Sequence, residues 1–188
     1  SLVGSEMCIR DRFDNVTRNQ QFDLAFFNFL RYLASYYELA MITASVKPLE
    51  ELCHTDIVSS PFFNIFHKVR LGPFPKGEAI LLIREPATRA GITFDDAEVD
   101  FVLDLAGCHP LLTQIACYYL FDAKVSGRAI DFEEIRREFD AQVIDHFKYF
   151  WTHMSEEIRQ RLITDIFQQD TSDCHYLARS RSFRDFVR

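Results

Sequence analysis

Few residues of this 188-residue chain combine the types and spacing that chemistry needs. Two Cys–His neighbours, Cys53–His54 and Cys108–His109, hold the materials of a thiol nucleophile and its base. Adjacent residues on one element point in different directions, so neither pair is preset to meet, and both cysteines read as small buried hydrophobes. With Cys117 and Cys174 they form no C-x-x-C pair, which disfavours zinc and disulfide frameworks and fits free thiols in a reducing cytoplasm. Four acidic pairs, Glu50/Glu51, Asp95/Asp96, Glu133/Glu134 and Glu156/Glu157, fall where helices begin. Carboxylates there offset the positive end of the helix dipole, so their reading is structural. Hydroxyls close an apolar run at Thr43 and Ser45, and Gly107 precedes His109 and Pro110 at a helix opening. Arg179, Arg181, Arg184 and Arg188, with Asp185 among them, form the basic cluster of the C-terminal region. No G-x-x-x-x-G-K-[ST], G-x-S-x-G or H-E-x-x-H occurs, so these residues encode no complete active site.

The elements that must position these residues follow from periodicity. Residues 22–37 carry Phe22, Phe26, Phe29, Leu30 and Leu33 at helical spacing. Residues 39–44 are continuously apolar, as in a strand buried on both faces of a parallel sheet. A short helix after Pro48, a helical turn over residues 62–69 and a second strand at residues 68–71 are expected next. Gly72, Pro73, Pro75 and Gly77 then break the pattern. From there the chain reads as helix upon helix: residues 78–84 closed by Pro86, then Asp95 and Glu98 at capping-box spacing before a helix that ends at Gly107. Pro110 opens the next, ended by Gly127. Asp131 and Glu134 offer a second capping box before a long helix to about residue 150. A helix from Ser155, an extended piece at residues 176–178 and a small helix with Phe183, Phe186 and Val187 complete the chain.

Composition bounds the class. The chain is 48% apolar and 14% aromatic, with nineteen Phe against one Trp and six Gly, enough for a dense and mostly helical core. No apolar run approaches the ~20 residues of a membrane span. The net charge of −7, and a net −2 over residues 126–188, are poor for a phosphate-binding surface. Residues 1–12 show no periodicity and resemble the translation of a sequencing-library adapter. They are therefore expected to be foreign to the fold, with the natural protein beginning earlier.

Several short motifs occur in a telling order. Phe13-Asp14, the helix with Phe29 to Tyr32, the apolar strand to Ser45, Pro48-Leu49 and Ser60-Pro61 come first. Leu71-Gly72-Pro73-Phe74, then Gly107 to Leu111 with Gln114, follow. In this order residues 13–125 resemble the C-terminal half of prokaryotic AAA-like P-loop ATPases, the signal-transducing STAND group and the origin-recognition-like AAA+ proteins. The resemblance implies that Phe13-Asp14 trail a Walker B strand, that Thr43 or Ser45 fills the sensor-1 place, and that His109 and Pro110, with Gly107, form the nucleotide-binding lid motif. A hydroxyl at the carboxyl end of a parallel strand can hold an attacking water or a phosphate oxygen. The resemblance also makes Arg31 and Arg70 candidates for facing a neighbouring subunit's nucleotide, and residues from 131 onward a shortened winged-helix module.

The expected fold is thus mainly α with a residual parallel α/β sheet. Residues 1–12 would be the adapter scar, 13–74 the end of a P-loop core, 75–127 a helical lid and 128–188 a reduced winged-helix-like module. The implied function is a piece of a cytoplasmic regulatory ATPase whose intact parent uses ATP and Mg2+, the piece itself having no cofactor. A protein partner or neighbouring subunit is expected, nucleic acid is disfavoured and no membrane is involved. The competing expectation is a helical protein-interaction or DNA-binding adaptor without a nucleotide site.

Overall fold

The computed structural model describes residues 6–37, 39–168 and 175–188, residues 6–10 as backbone. The chain divides into two compact units, Ser1–Arg70 and Leu71–Arg188.

The first unit holds β1 (Glu6–Arg10), α1 (Asp14–Arg18), α2 (Leu24–Tyr36), β2 (Leu39–Thr43) and α3 (Leu49–Leu52). The apolar run forms β2, and it pairs in parallel with β1, Glu6 opposite Leu39 through Arg10 opposite Thr43. Residues 6–10, expected to be foreign, are therefore drawn as a partner strand. A ladder of main-chain N–H and C=O groups demands no particular side chain, so any segment without proline can supply it. The Phe13 N–H continues the pairing to the Ala44 carbonyl at 3.0 Å.

The Asp23 side chain caps α2 by accepting the Phe26 N–H at 3.0 Å. Phe27 of that helix is fully buried with Phe13, Leu49, Ile57, Phe62 and Phe63. Its ring centroid lies 5.5 Å from that of Phe62, within the range of favourable aromatic pairs.

The expected second strand at residues 68–71 does not form, and residues 66–75 hold neither helix nor strand. Pro73 and Pro75 have no N–H to give a ladder, and Lys68 is drawn instead to Glu50, Nζ to Oε1 at 2.6 Å. The expected turn over residues 62–69 shrinks to a 3-10 turn, Pro61–Ile65, whose first free N–H is accepted by the Ser60 hydroxyl.

The second unit is helical: α4 (Lys76–Arg89), α5 (Asp96–Ala106), α6 (Pro110–Val125), α7 (Phe132–His153), α8 (Glu156–Gln168), a 3-10 turn Tyr176–Arg179 and α9 (Arg181–Val187). The capping box of α5 is complete, with Asp95 and Glu98 each accepting the other's N–H at 2.8 Å. Glu98 is buried, and the same carboxylate receives Lys124 Nζ from α6 at 2.6 Å. Asp131 caps α7 by accepting the N–H groups of Glu133 and Glu134. Val102, Leu105, Leu112, Ala116, Leu120, Phe139, Phe147 and Phe183 make the centre of one core.

Two expectations are corrected here. Pro86 does not close α4, which runs through it to Arg89. Its ring costs one main-chain bond, and the buried faces of Ile83 and Ala87 on either side hold the helix together. Residues 176–178 are not extended but form the 3-10 turn. Among the described residues no strand follows β2, so the expected winged-helix-like module shows helices alone there. No helix among them is long and apolar enough to cross a membrane.

Candidate functional site

The implied site residues fall into two groups, one in each unit. In the first unit Thr43 and Ser45 lie at and just after the carboxyl end of β2, while Arg31 and Arg70 lie elsewhere. Thr43 is half-buried as the last residue of β2, opposite Arg10. Parallel pairing puts both strand ends on one edge, where open α/β sheets bind their ligands. Ser45 is exposed, and its hydroxyl donates to the Lys47 carbonyl at 2.6 Å, so it shapes the turn after the strand.

A residue to which sequence reasoning gave no role of its own, Asp14, lies just beyond this edge. It is 2% exposed, one carboxylate oxygen has no hydrogen-bond partner, and the other lies 3.8 Å from Arg18. The signal the sequence carried for it is the Phe13-Asp14 pair, which the resemblance sets after a Walker B strand.

In the second unit the turn between α5 and α6 is built by geometry that few residues tolerate. Gly107 is left-handed at φ 60°, and its N–H closes α5 on the Leu103 carbonyl at 2.9 Å. Cys108 is left-handed too, at φ 64°, which is uncommon for a residue with a Cβ. Pro110 then takes the first helical position of α6, where its missing N–H costs nothing. The Cys108 carbonyl accepts the Phe74 N–H at 3.2 Å, so two of the motifs, residues 71–74 and 107–110, meet through their backbones.

His109 is half-buried. Its ring packs 5.2 Å from Phe150 of α7 and 5.8 Å from Tyr176, and its Nδ1 is buried without a partner. Burial holds its pKa below the ordinary value, with His146 adding to the effect. The imidazole is thus a neutral packing group at pH 7.

Arg31 on α2 and Arg70 at the end of the first unit are exposed, with no ion pair or hydrogen-bond partner among the described residues. Three arginines of the C-terminal cluster lie near two carboxylates, Asp104 and Asp185, the second of which Arg136 approaches more closely at 2.6 Å. Arg181 lies 3.5 Å from Asp104, Arg184 lies 3.9 Å from the same carboxylate, and Arg188 lies 3.9 Å from Asp185. Arg179 is exposed. Neither Cys–His neighbour forms a dyad. Cys53 donates to the Glu50 carbonyl at 3.3 Å, while Cys108 and His109 diverge across the left-handed turn. Among the described residues no group of three or more His, Cys, Asp or Glu is placed to hold a metal ion.

The sequence model of one family, nSTAND2 (novel STAND NTPase 2), matches residues 5–169. No curated protein and no solved structure matches the chain. The match takes in β1, the strand edge with Thr43, the turn at residues 107–110 and the helices through α8. By that coverage, most of its length, the chain belongs to the novel STAND NTPase 2 family.

Proposed function

We propose that this chain is the later part of a nucleotide switch. Residues 13–74 end the P-loop core, 75–127 form the lid, and 128–188 couple the lid to an effector or a neighbouring subunit. The observation that carries this reading is the pairing of β1 and β2 in parallel, with the Thr43 hydroxyl at their common carboxyl edge, within a chain of the STAND NTPase family. Pro110 at the opening of α6 is the second contact, against the base.

ATP and Mg2+ are what the family implies, and these residues fit only part of them. A strand-end hydroxyl and a proline-led helix are present, but the sequence has no glycine-rich phosphate loop and the described residues no metal-holding group. The chain by itself does not cradle ATP-Mg2+, and no catalytic step is assigned to it. His109 serves here as packing rather than as a phosphate contact, which leaves Thr43 and Pro110 as the proposed nucleotide contacts.

A protein partner is favoured over nucleic acid. Asp104 and Asp185 occupy three of the four C-terminal arginines, while α2 exposes Phe29, Tyr32 and Tyr36 beside Arg31. This supports a neighbouring subunit on α2 and leaves little for a phosphate backbone.

The test is nucleotide binding by the full-length protein, with Thr43→Ala and Pro110→Ala made at these positions. Both should weaken ATP binding, Thr43→Ala the more for ATP than for ADP. No nucleotide binding by that protein, or unchanged affinity in both variants, would overturn the reading in favour of a helical adaptor without a nucleotide site.

A further inference from the structure

We infer that residues 176–180 are a latch that holds the turn of residues 107–110 from the C-terminal end of the chain, and that His109 is its pin. Three contacts carry this. The first is a backbone approach: a methyl group on Gly107 would stand 2.5 Å from the Ser180 nitrogen and 2.9 Å from the Arg179 carbonyl carbon. The second is the Ser180 hydroxyl, which donates to the Leu105 carbonyl and accepts the Phe183 N–H, the latter at 3.1 Å. One side chain therefore satisfies a last-turn carbonyl of α5 and a first-turn N–H of α9, groups that helices otherwise leave orphaned. The third is the ring stack. His109 lies against Tyr176, and Tyr176 lies 4.4 Å from His175, whose N–H donates to Asp165 of α8 at 3.0 Å.

The turn is thus finished by residues far along the chain. Leu105, Leu112 and Ala116 of α5 and α6 are buried among the helices, in a core that Leu177 and Ala178 of the latch and Phe183 of α9 also join. The latch itself is a 3-10 turn followed by a seven-residue helix, elements with little stability of their own. What holds it is tertiary: Leu177 and Ala178 are seated in the core, and its opening takes them out of it. On opening, the strained φ of Cys108 can relax and its half-buried thiol meets solvent. If the turn contacts nucleotide as proposed above, latch and nucleotide share one structural element and bias each other's equilibrium. The latch is testable without nucleotide, so its failure and the failure of that reading are separate results.

The experiment is mass-resolved alkylation of the full chain with iodoacetamide at neutral pH, following Cys108 and Cys117 together. Cys117 sits within α6, where burial pushes its thiol up to about 12, so it reacts only when the helix core opens. Tyr176→Ala and Ser180→Ala should each raise the Cys108 rate about tenfold by raising the population of the locally open form, with Cys117 unchanged. His109→Phe keeps a ring against Tyr176 and Phe150 and should label at the wild-type rate. The inference is overturned if Cys108 is unmoved in both latch variants, or if Cys117 accelerates in step with it. A His109→Phe rate matching Tyr176→Ala would overturn the ring stack as the holding contact.

Discussion

Replacing Gly107 by Ala separates two costs that usually arrive together. The new side chain must adopt a left-handed φ of 60°, a penalty of roughly 1–2 kcal/mol for a residue with a Cβ. It must also enter a space where backbone atoms of Arg179 and Ser180 stand 2.9 Å and 2.5 Å away, closer than Cβ contacts run. Backbone cannot step aside as the end of a side chain can, so overpacking adds about 1–3 kcal/mol. The sum is roughly 2–5 kcal/mol.

Gly91 and Gly127 supply the controls. They are left-handed at φ 80° and 69°, and nothing lies within 4 Å of an added methyl at either. Gly91→Ala and Gly127→Ala therefore carry the backbone penalty alone. Calorimetry of the three variants should show Gly107→Ala losing about 2 kcal/mol more than the controls, near 6–10 °C in the melting of this unit. If the three melt within about 1 kcal/mol of each other, α9 and its preceding turn do not press on Gly107, and the close approach is wrong.

Three further outcomes are expected. Burial depresses the imidazoles of His109 and His175, the latter partly offset by Asp165, so the unfolded chain takes up protons first as pH falls. Stability is then full above about pH 6.5 and declines below it towards the folded-state values; urea midpoints should fall between about pH 7.5 and 5.5, and less steeply in His109→Phe. Lys124→Met strands the buried Glu98 carboxylate and should cost about 3 kcal/mol in denaturant unfolding, the low end for breaking a buried pair because the ammonium is partly wet; a loss near zero would refute the pairing. In gel-shift titrations duplex DNA should not be retained at physiological salt, whereas Asp104→Ala, freeing Arg181 and Arg184, should begin to retain it.

The helices were legible because their ends are written in local chemistry. Asp95 with Glu98, Gly107 and Pro110 mark boundaries that need no tertiary knowledge, and all stand where the spacing put them. Residues 39–43 form the strand that continuous apolarity predicts, but not one buried on both faces: none of them is buried and Ile42 is half exposed. What failed depended on contacts from afar. Pro86 is a local stop signal, overruled by burial of Ile83 and Ala87 in the core. The arginines at 181, 184 and 188 looked like a cluster because Asp104, which receives two of them, is remote in sequence. His109 looked available for a ligand because nothing near it announces Phe150 and Tyr176 as its neighbours. Asp14 drew no separate notice because burial of an acid cannot be read from its flanks.

The aromatic residues are unevenly shared between the two units, and this has an optical consequence. The first unit packs its core from phenylalanine rings, Phe13, Phe22, Phe26, Phe27, Phe62, Phe63 and Phe66, and its tyrosines at 32, 36 and 37 all sit on the surface. The chain's single tryptophan, Trp151, lies in α7 of the other unit. Selective excitation of the indole therefore reports on one core and is blind to the other. A single clean transition in that signal describes the surroundings of Trp151, and a two-state analysis of the whole chain needs a second probe in the phenylalanine core of the other unit.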